Sequence, residues 1–144
     1  MIVNLTNKRY IARKPYFAVS FLDRLQGMIG RKFHTSGFDA MVFDRCNCIH
    51  TFFMAQRIDV IFLDAENKVV GLKKSLSCFH PCVRCAKAVR TIELPAGVIE
   101  HSATELGHIL NVAEESVPDF DKKVSSKRIV REMESIIPFK ESKK

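Results

Sequence analysis

The stretch that constrains this chain most is 58–70, Ile-Asp-Val-Ile-Phe-Leu-Asp, then Ala-Glu-Asn-Lys, then Val-Val. Two runs rich in Val, Ile and Phe separated by a short polar turn sequence read as an antiparallel hairpin. A hairpin alone is marginal in water, so its apolar face must be covered by further strands or a helix. The rest of the chain supplies them. Residues 2–5 (IVNL), 9–13 (RYIAR), FDAMVF from Phe38, CIHTFFM from Cys48, 88–94 and HILNVA from His108 are short, β-branched or aromatic segments bounded by turn residues. One helix is expected early. Phe21, Leu22, Leu25, Met28 and Ile29 recur at three- and four-residue spacing after Ser20, a candidate N-cap, and Gly30 is placed to end the helix. The pattern predicts an α+β, β-rich domain with a curved, mostly antiparallel sheet of about seven short strands.

With 144 residues and 47% hydrophobic composition, the chain has material for one core and is not a disordered or fibrous sequence. That core is expected in a single β-rich domain over 1–113. From 114 the sequence turns polar, and 114–144 reads as a linker plus an amphipathic C-terminal helix. Ile129, Val130, Met133, Ile136 and Ile137 share one helical stripe there, Ser125 or Ser126 can cap its start, and Pro138 ends it. Such a helix packs on its own domain or mediates a dimer. No stretch has the length and apolarity of a membrane span, and the N-terminus is interrupted by Asn4, Thr6, Lys8 and Arg9, so no membrane association and a cytoplasmic location are expected.

The net charge of +7 is concentrated at one end. Residues 1–45 hold eight Lys or Arg against three acids, whereas 46–111 hold seven against six and 112–144 hold eight against seven. Lys8, Arg9, Arg13 and Lys14, beside Tyr10 and Tyr16, could neutralise a few phosphates of a nucleic acid. No stacking motif or finger of standard length accompanies them, and charge by itself argues solubility rather than function.

All five cysteines lie between Cys46 and Cys85, as C-x-C-x-H (Cys46, Cys48, His50) and C-x-H-x-C-x-x-C (Cys78, His80, Cys82, Cys85). In a reducing compartment, clustered thiols are more often metal ligands or reactive groups than disulfides. If 46–50 is extended, Cys46, Cys48 and His50 share a face, and the Cys82/Cys85 loop can close on the same ion. Cys46, Cys48, Cys82 and Cys85 are therefore the candidate ligands of one structural zinc. Against this stands the plain reading that these are small buried or loop thiols, and thiol redox chemistry is a further alternative.

GMIGRKF (27–33), CIHTFFM (48–54), IDVIFLDAENKVV (58–70) and IELPAG (92–97) occur in an order and spacing that resemble the family known as domain of unknown function 192 over about residues 10–111. The residues that carry the resemblance are Gly27, Met28, Arg31, Met54, Asp59, Phe62, Asp64, Leu94, Pro95, Ala96 and Gly97. It implies a small β-rich domain and no particular reaction. The family's closing Gly-Asp is Gly107-His108 here, so no role can rest on that carboxylate.

Arg31, His50, Thr51 and Asp59 form an inventory of anion binder, base, hydroxyl and carboxylate suited to hydrolytic or transfer chemistry. Asp59 lies inside an apolar strand sequence and must be paired or hydrogen-bonded, with Arg31 or backbone N–H groups near the Leu-Pro-Ala-Gly turn as partners. A structural role for Asp59 and a core role for His50 are the simpler readings. The sequence thus points first to a non-enzymatic binding or scaffold domain, with a structural zinc as its metal reading. An enzyme with a pocket at Arg31, His50, Thr51 and Asp59 is the alternative, and nucleic-acid binding through the basic N-terminal segment is the third.

Overall fold

The computed structural model describes residues 1–113; the expected linker and C-terminal helix lie outside the described residues. The fold is α+β and β-rich as expected, with ten strands in three sheets and two short helices. The elements are β1 (Ile2–Asn4), β2 (Arg9–Ala12), β3 (Pro15–Phe17), α1 (Phe21–Gln26), β4 (Ala40–Asp44), β5 (Cys48–Ile49), β6 (Ile58–Leu63), β7 (Val69–Leu76), β8 (Val83–Arg84), β9 (Arg90–Pro95), α2 (Val98–His101) and β10 (Leu110–Val112). A five-stranded sheet in the order β3-β4-β9-β6-β7 forms the centre. A three-stranded sheet β10-β1-β2 and a two-stranded ribbon β5-β8 accompany it, and β3–β4 is the one parallel pair among the described residues. No described helix is long and apolar enough to cross a membrane.

The hairpin is present as β6 and β7. Period-two alternation then sorts side chains to the two faces of the central sheet. Ala40 and Val42, Ile61 and Leu63, and Ile92 and Leu94 join a cluster completed by Ile2, Ile11, Ile99 and Leu110 from the small sheet and α2. Met41 and Phe43, and Ile58, Val60 and Phe62, face the other way and are covered by Ile49 of β5 and by Met28, Phe33, Phe38 and Met54 from irregular segments.

Two local expectations are corrected. The stretch 48–54 is strand only at Cys48–Ile49, and Phe53 takes a positive φ of 57° that stops any continuation. The early helix starts at Ser20, whose hydroxyl accepts from the Asp23 N–H, but it ends after six residues at Gly27, with φ 51°, rather than at Gly30. Its supposed apolar face is not buried: Phe21, Leu22 and Leu25 are exposed, and only Met28, which follows the helix on a turn, enters the core. A helix so short aligns too few side chains to dock by its stripe.

Candidate functional site

Each candidate residue can be followed to its partners. Asp59 is buried in β6, where the register against β7 shifts between Ile58 and Val60. Its carboxylate accepts from the N–H groups of Ser75 (2.8 Å), Gly97 (3.0 Å) and Ile99 (2.8 Å), so it satisfies the irregularity in β7 and the start of α2 together. Gly97 and Ile99 are the backbone donors expected near the turn, Ser75 of β7 is a further one, and Arg31 is not involved. The Arg31 guanidinium instead donates to Asp23 (3.3 Å) and Gln26 (3.2 Å) and lies 5.4 Å from the centre of the Tyr16 ring. The Ser20 hydroxyl, then the Tyr16 hydroxyl and Arg31, hold the Asp23 carboxyl below its ordinary value. Thr51 is buried, donates to Ser77 O and accepts from His80 N–H, both at 2.9 Å, and so ties the two cysteine segments together. Asp59, Arg31 and Thr51, three of the four residues of the enzymatic reading, therefore serve separate structures.

The cysteines divide in the same way. Cys48 and Cys82 are joined as a disulfide beside the β5–β8 ribbon, with Cα atoms 6.0 Å apart. The Cys46 thiol donates to Cys48 O (3.3 Å) and Cys78 to Met54 O (3.0 Å), while Cys85 lies by Val70 O and the Cα of Gly71. Among the described residues no three His, Cys, Asp or Glu side chains are grouped so as to hold a metal ion, and the four-sulfur set of Cys46, Cys48, Cys82 and Cys85 is not assembled. The thiol-bearing strand and loop do meet, but through a covalent bond between their sulfurs.

A cleft of about 200 Å³ opens beside this ribbon. Arg24, Gln26 and the Gly27-Met28-Ile29 turn form one side, Cys46, Cys48, Ile49, His50 and Met54 form the other, and Phe43 and Glu93 form the floor from the central sheet. Cys46, Cys48 and His50 all line the cleft, as does Ile49 between them, and only Cys48 and Ile49 of these lie in a strand. Glu93 was not singled out by sequence. It occupies the middle of β9, paired between Met41 of β4 and Val60 of β6, and is 3% exposed. Its Oε2 has no hydrogen-bond partner among the described residues, and neither has the buried Nδ1 of His50. Burial among apolar neighbours pushes the Glu93 carboxyl up to about 8 from an ordinary 4.5. The alternation Thr91-Ile92-Glu93-Leu94 resembles a strand with one wet face, so nothing in the pattern marks Glu93 as buried.

The remaining sequence markers are structural. His108, standing where the family's closing acid is expected, meets Asn4 Nδ2 through Nδ1 at 2.9 Å. Lys8, Arg9, Arg13 and Lys14 are exposed around β2; Arg9 donates to His101 O, and the Arg13 and Lys14 N–H groups cap the Asp39 carboxylate.

Comparison with known proteins gives concordant results. A UPF0127 protein of Thermococcus sibiricus is 36% identical, with 74% of this chain and 71% of that protein aligned. A UPF0127 protein of Pyrococcus furiosus is 33% identical over 74% of this chain and 92% of its own length. A solved protein of unknown function from Novosphingobium aromaticivorans superposes with a TM-score of 0.64 at 17% identity, covering 77% of this chain and 82% of its own. A solved protein from Sinorhizobium meliloti, titled "a putative transcription regulator", gives 0.65 at 16% identity, covering 76% of this chain and 88% of its own; at such identities the likeness is one of fold. The sequence profile of DUF192, described as "Uncharacterized ACR", matches residues 3–112, and the chain belongs to that family.

Proposed function

We propose that this chain is a non-catalytic binding domain whose ligand enters the cleft between the Gly27-Met28-Ile29 turn and the β5 segment. The supporting observation is that two residues lining the cleft, Glu93 and His50, each carry a buried polar atom, Oε2 and Nδ1, without a partner among the described residues. An unpartnered buried polar group costs about 1–3 kcal/mol, so two in one apolar cleft are a cost that a ligand can offset. Convergent polar atoms in a mostly apolar concavity are the usual make-up of a small-molecule site. The enzymatic reading is less well supported, because only His50 of its four residues lines the cleft, while Asp59, Thr51 and Arg31 are committed to structural bonds.

Amide resonances of the full chain, followed while small organic fragments are added, test this. Shifts clustering at Gly27, Met28, Ile49 and Met54 with the compounds recovered unchanged are the expected outcome. No perturbation around the cleft, or chemical conversion of a bound compound, overturns it.

A further inference from the structure

The two unpartnered atoms also define the chemistry they lack. An ionised carboxylate oxygen is an acceptor only, and the Nδ1 of a neutral imidazole is an acceptor when its proton is on Nε2. Glu93 when ionised and His50 in its Nε2–H tautomer each want a donor, and no described residue brings one to them. Arg24, the one Lys or Arg lining the cleft among the described residues, spends its guanidinium on Asp44 O (2.6 Å) and Arg45 O (3.3 Å). Met28, Phe43, Ile49 and Met54, an aromatic ring and two thioethers among aliphatic surface, line the cleft and suit a hydrocarbon body. About 200 Å³ lies below the range of about 300–1,000 Å³ usual for drug-sized ligands, so the body is limited to one ring or a short chain.

Resting on the reading of this cleft as a ligand site, we infer that its ligand is a small organic cation, an ammonium, amidinium or guanidinium on a compact apolar body. The cationic N–H groups pair with the Glu93 carboxylate and reach His50 Nδ1, and the body lies against Phe43 and the methionines. A carboxylate taken out of water gains most from an opposite charge held at hydrogen-bond distance. An anionic ligand would meet Glu93 as a like charge. The other titratable or charged groups facing Glu93 across the cleft are Arg24 from α1, and Cys46 and His50 from the 45–54 segment; the flanking strands present Met41 and Val60 on that face.

Calorimetric titration of the full chain with benzamidine, benzamide and benzoate at about pH 6 and about pH 9 tests this, because Glu93 ionised within the cleft rewards the cation. Benzamidine is expected to bind most tightly of the three and to gain about tenfold from the lower to the higher pH. Glu93→Gln is expected to weaken benzamidine by about tenfold or more and to remove the pH gain, with His50→Ala giving a smaller loss. Benzamide binding as well as benzamidine, or benzamidine binding unchanged by pH, overturns the cationic class yet leaves the cleft a binding site. Failure of all three compounds to bind removes the underlying reading as well. If Glu93→Gln does not fold, the pH dependence in the unaltered protein decides the matter.

Discussion

Two buried carboxylates sit on neighbouring central strands and face opposite sides of the sheet. Asp59 lies with Ile61 and Leu63 on the side closed by the small sheet and α2, and three N–H groups converge on it. Glu93 lies on the side covered by loops and the β5–β8 ribbon, where its Oε2 has no partner among the described residues. The residues are chemically alike and comparably buried, at 1% and 3% exposure, so burial alone does not separate them. What separates them is the covering layer. A regular helix start and a strand irregularity leave backbone donors to be satisfied, whereas the loops over Glu93 bring side chains of apolar character and leave a cleft.

The comparison can be broken most directly at Asp59. Asp59→Ala leaves three backbone N–H groups without their acceptor and is expected to cost about 3 kcal/mol or more at roughly 1–3 kcal/mol per orphaned donor, as measured by urea unfolding. A loss below about 1 kcal/mol would erase the proposed distinction between the two faces.

Glu93 is expected to show itself through pH. Below about 4.5 its carboxyl is protonated in folded and unfolded chains alike and carries no penalty. Between about 4.5 and about 8 the unfolded chain releases a proton that the folded chain keeps, so stability falls as pH rises. Above about 8 both are ionised, and the full penalty of a few kcal/mol remains, at about 1.4 kcal/mol per pH unit. Unfolding free energies across this window should therefore decline in the native chain and flatten in Glu93→Gln; parallel curves would show that Glu93 already has a partner.

The open face also carries the covalent clamp. Cys48 and Cys82 are 34 residues apart, and reducing the bond, or replacing both residues by Ser, is expected to cost about 2–4 kcal/mol through the freed chain. Identical denaturant midpoints with and without reductant would contradict this. The smallest effect is expected at Gly71. A Cβ there would meet Cys85 Sγ at 3.1 Å and Phe62 Cδ2 at 3.2 Å, so Gly71→Ala should cost about 1–2 kcal/mol. Adding Cys85→Ala should return part of that loss in the same thermal-melt assay.

The central strands were legible because each carries its own pattern. The β6–β7 hairpin, β4 and β9 announce themselves through local Val, Ile and Phe content and alternation, and Asp59 stood out as a charge inside such a run. The short helix misled, because its stripe of Phe21, Leu22 and Leu25 satisfies the helical period without being buried. The cysteine spacing marked Cys46, Cys48 and His50 as neighbours but said nothing of which sulfur meets which. Cys48 reaches Cys82 only because Thr51 and β8 bring the second segment alongside.

The amino-acid sequence by itself determined the strand-rich α+β class, the family and the need for Asp59 to be satisfied, since periodicity and the cost of a lone charge act over a few residues. Only the tertiary structure decided that Glu93 is inside. That depends on the Met28 turn and the β5 segment, distant in sequence from β9, closing over a strand face that its own neighbours leave indistinguishable from a solvated one.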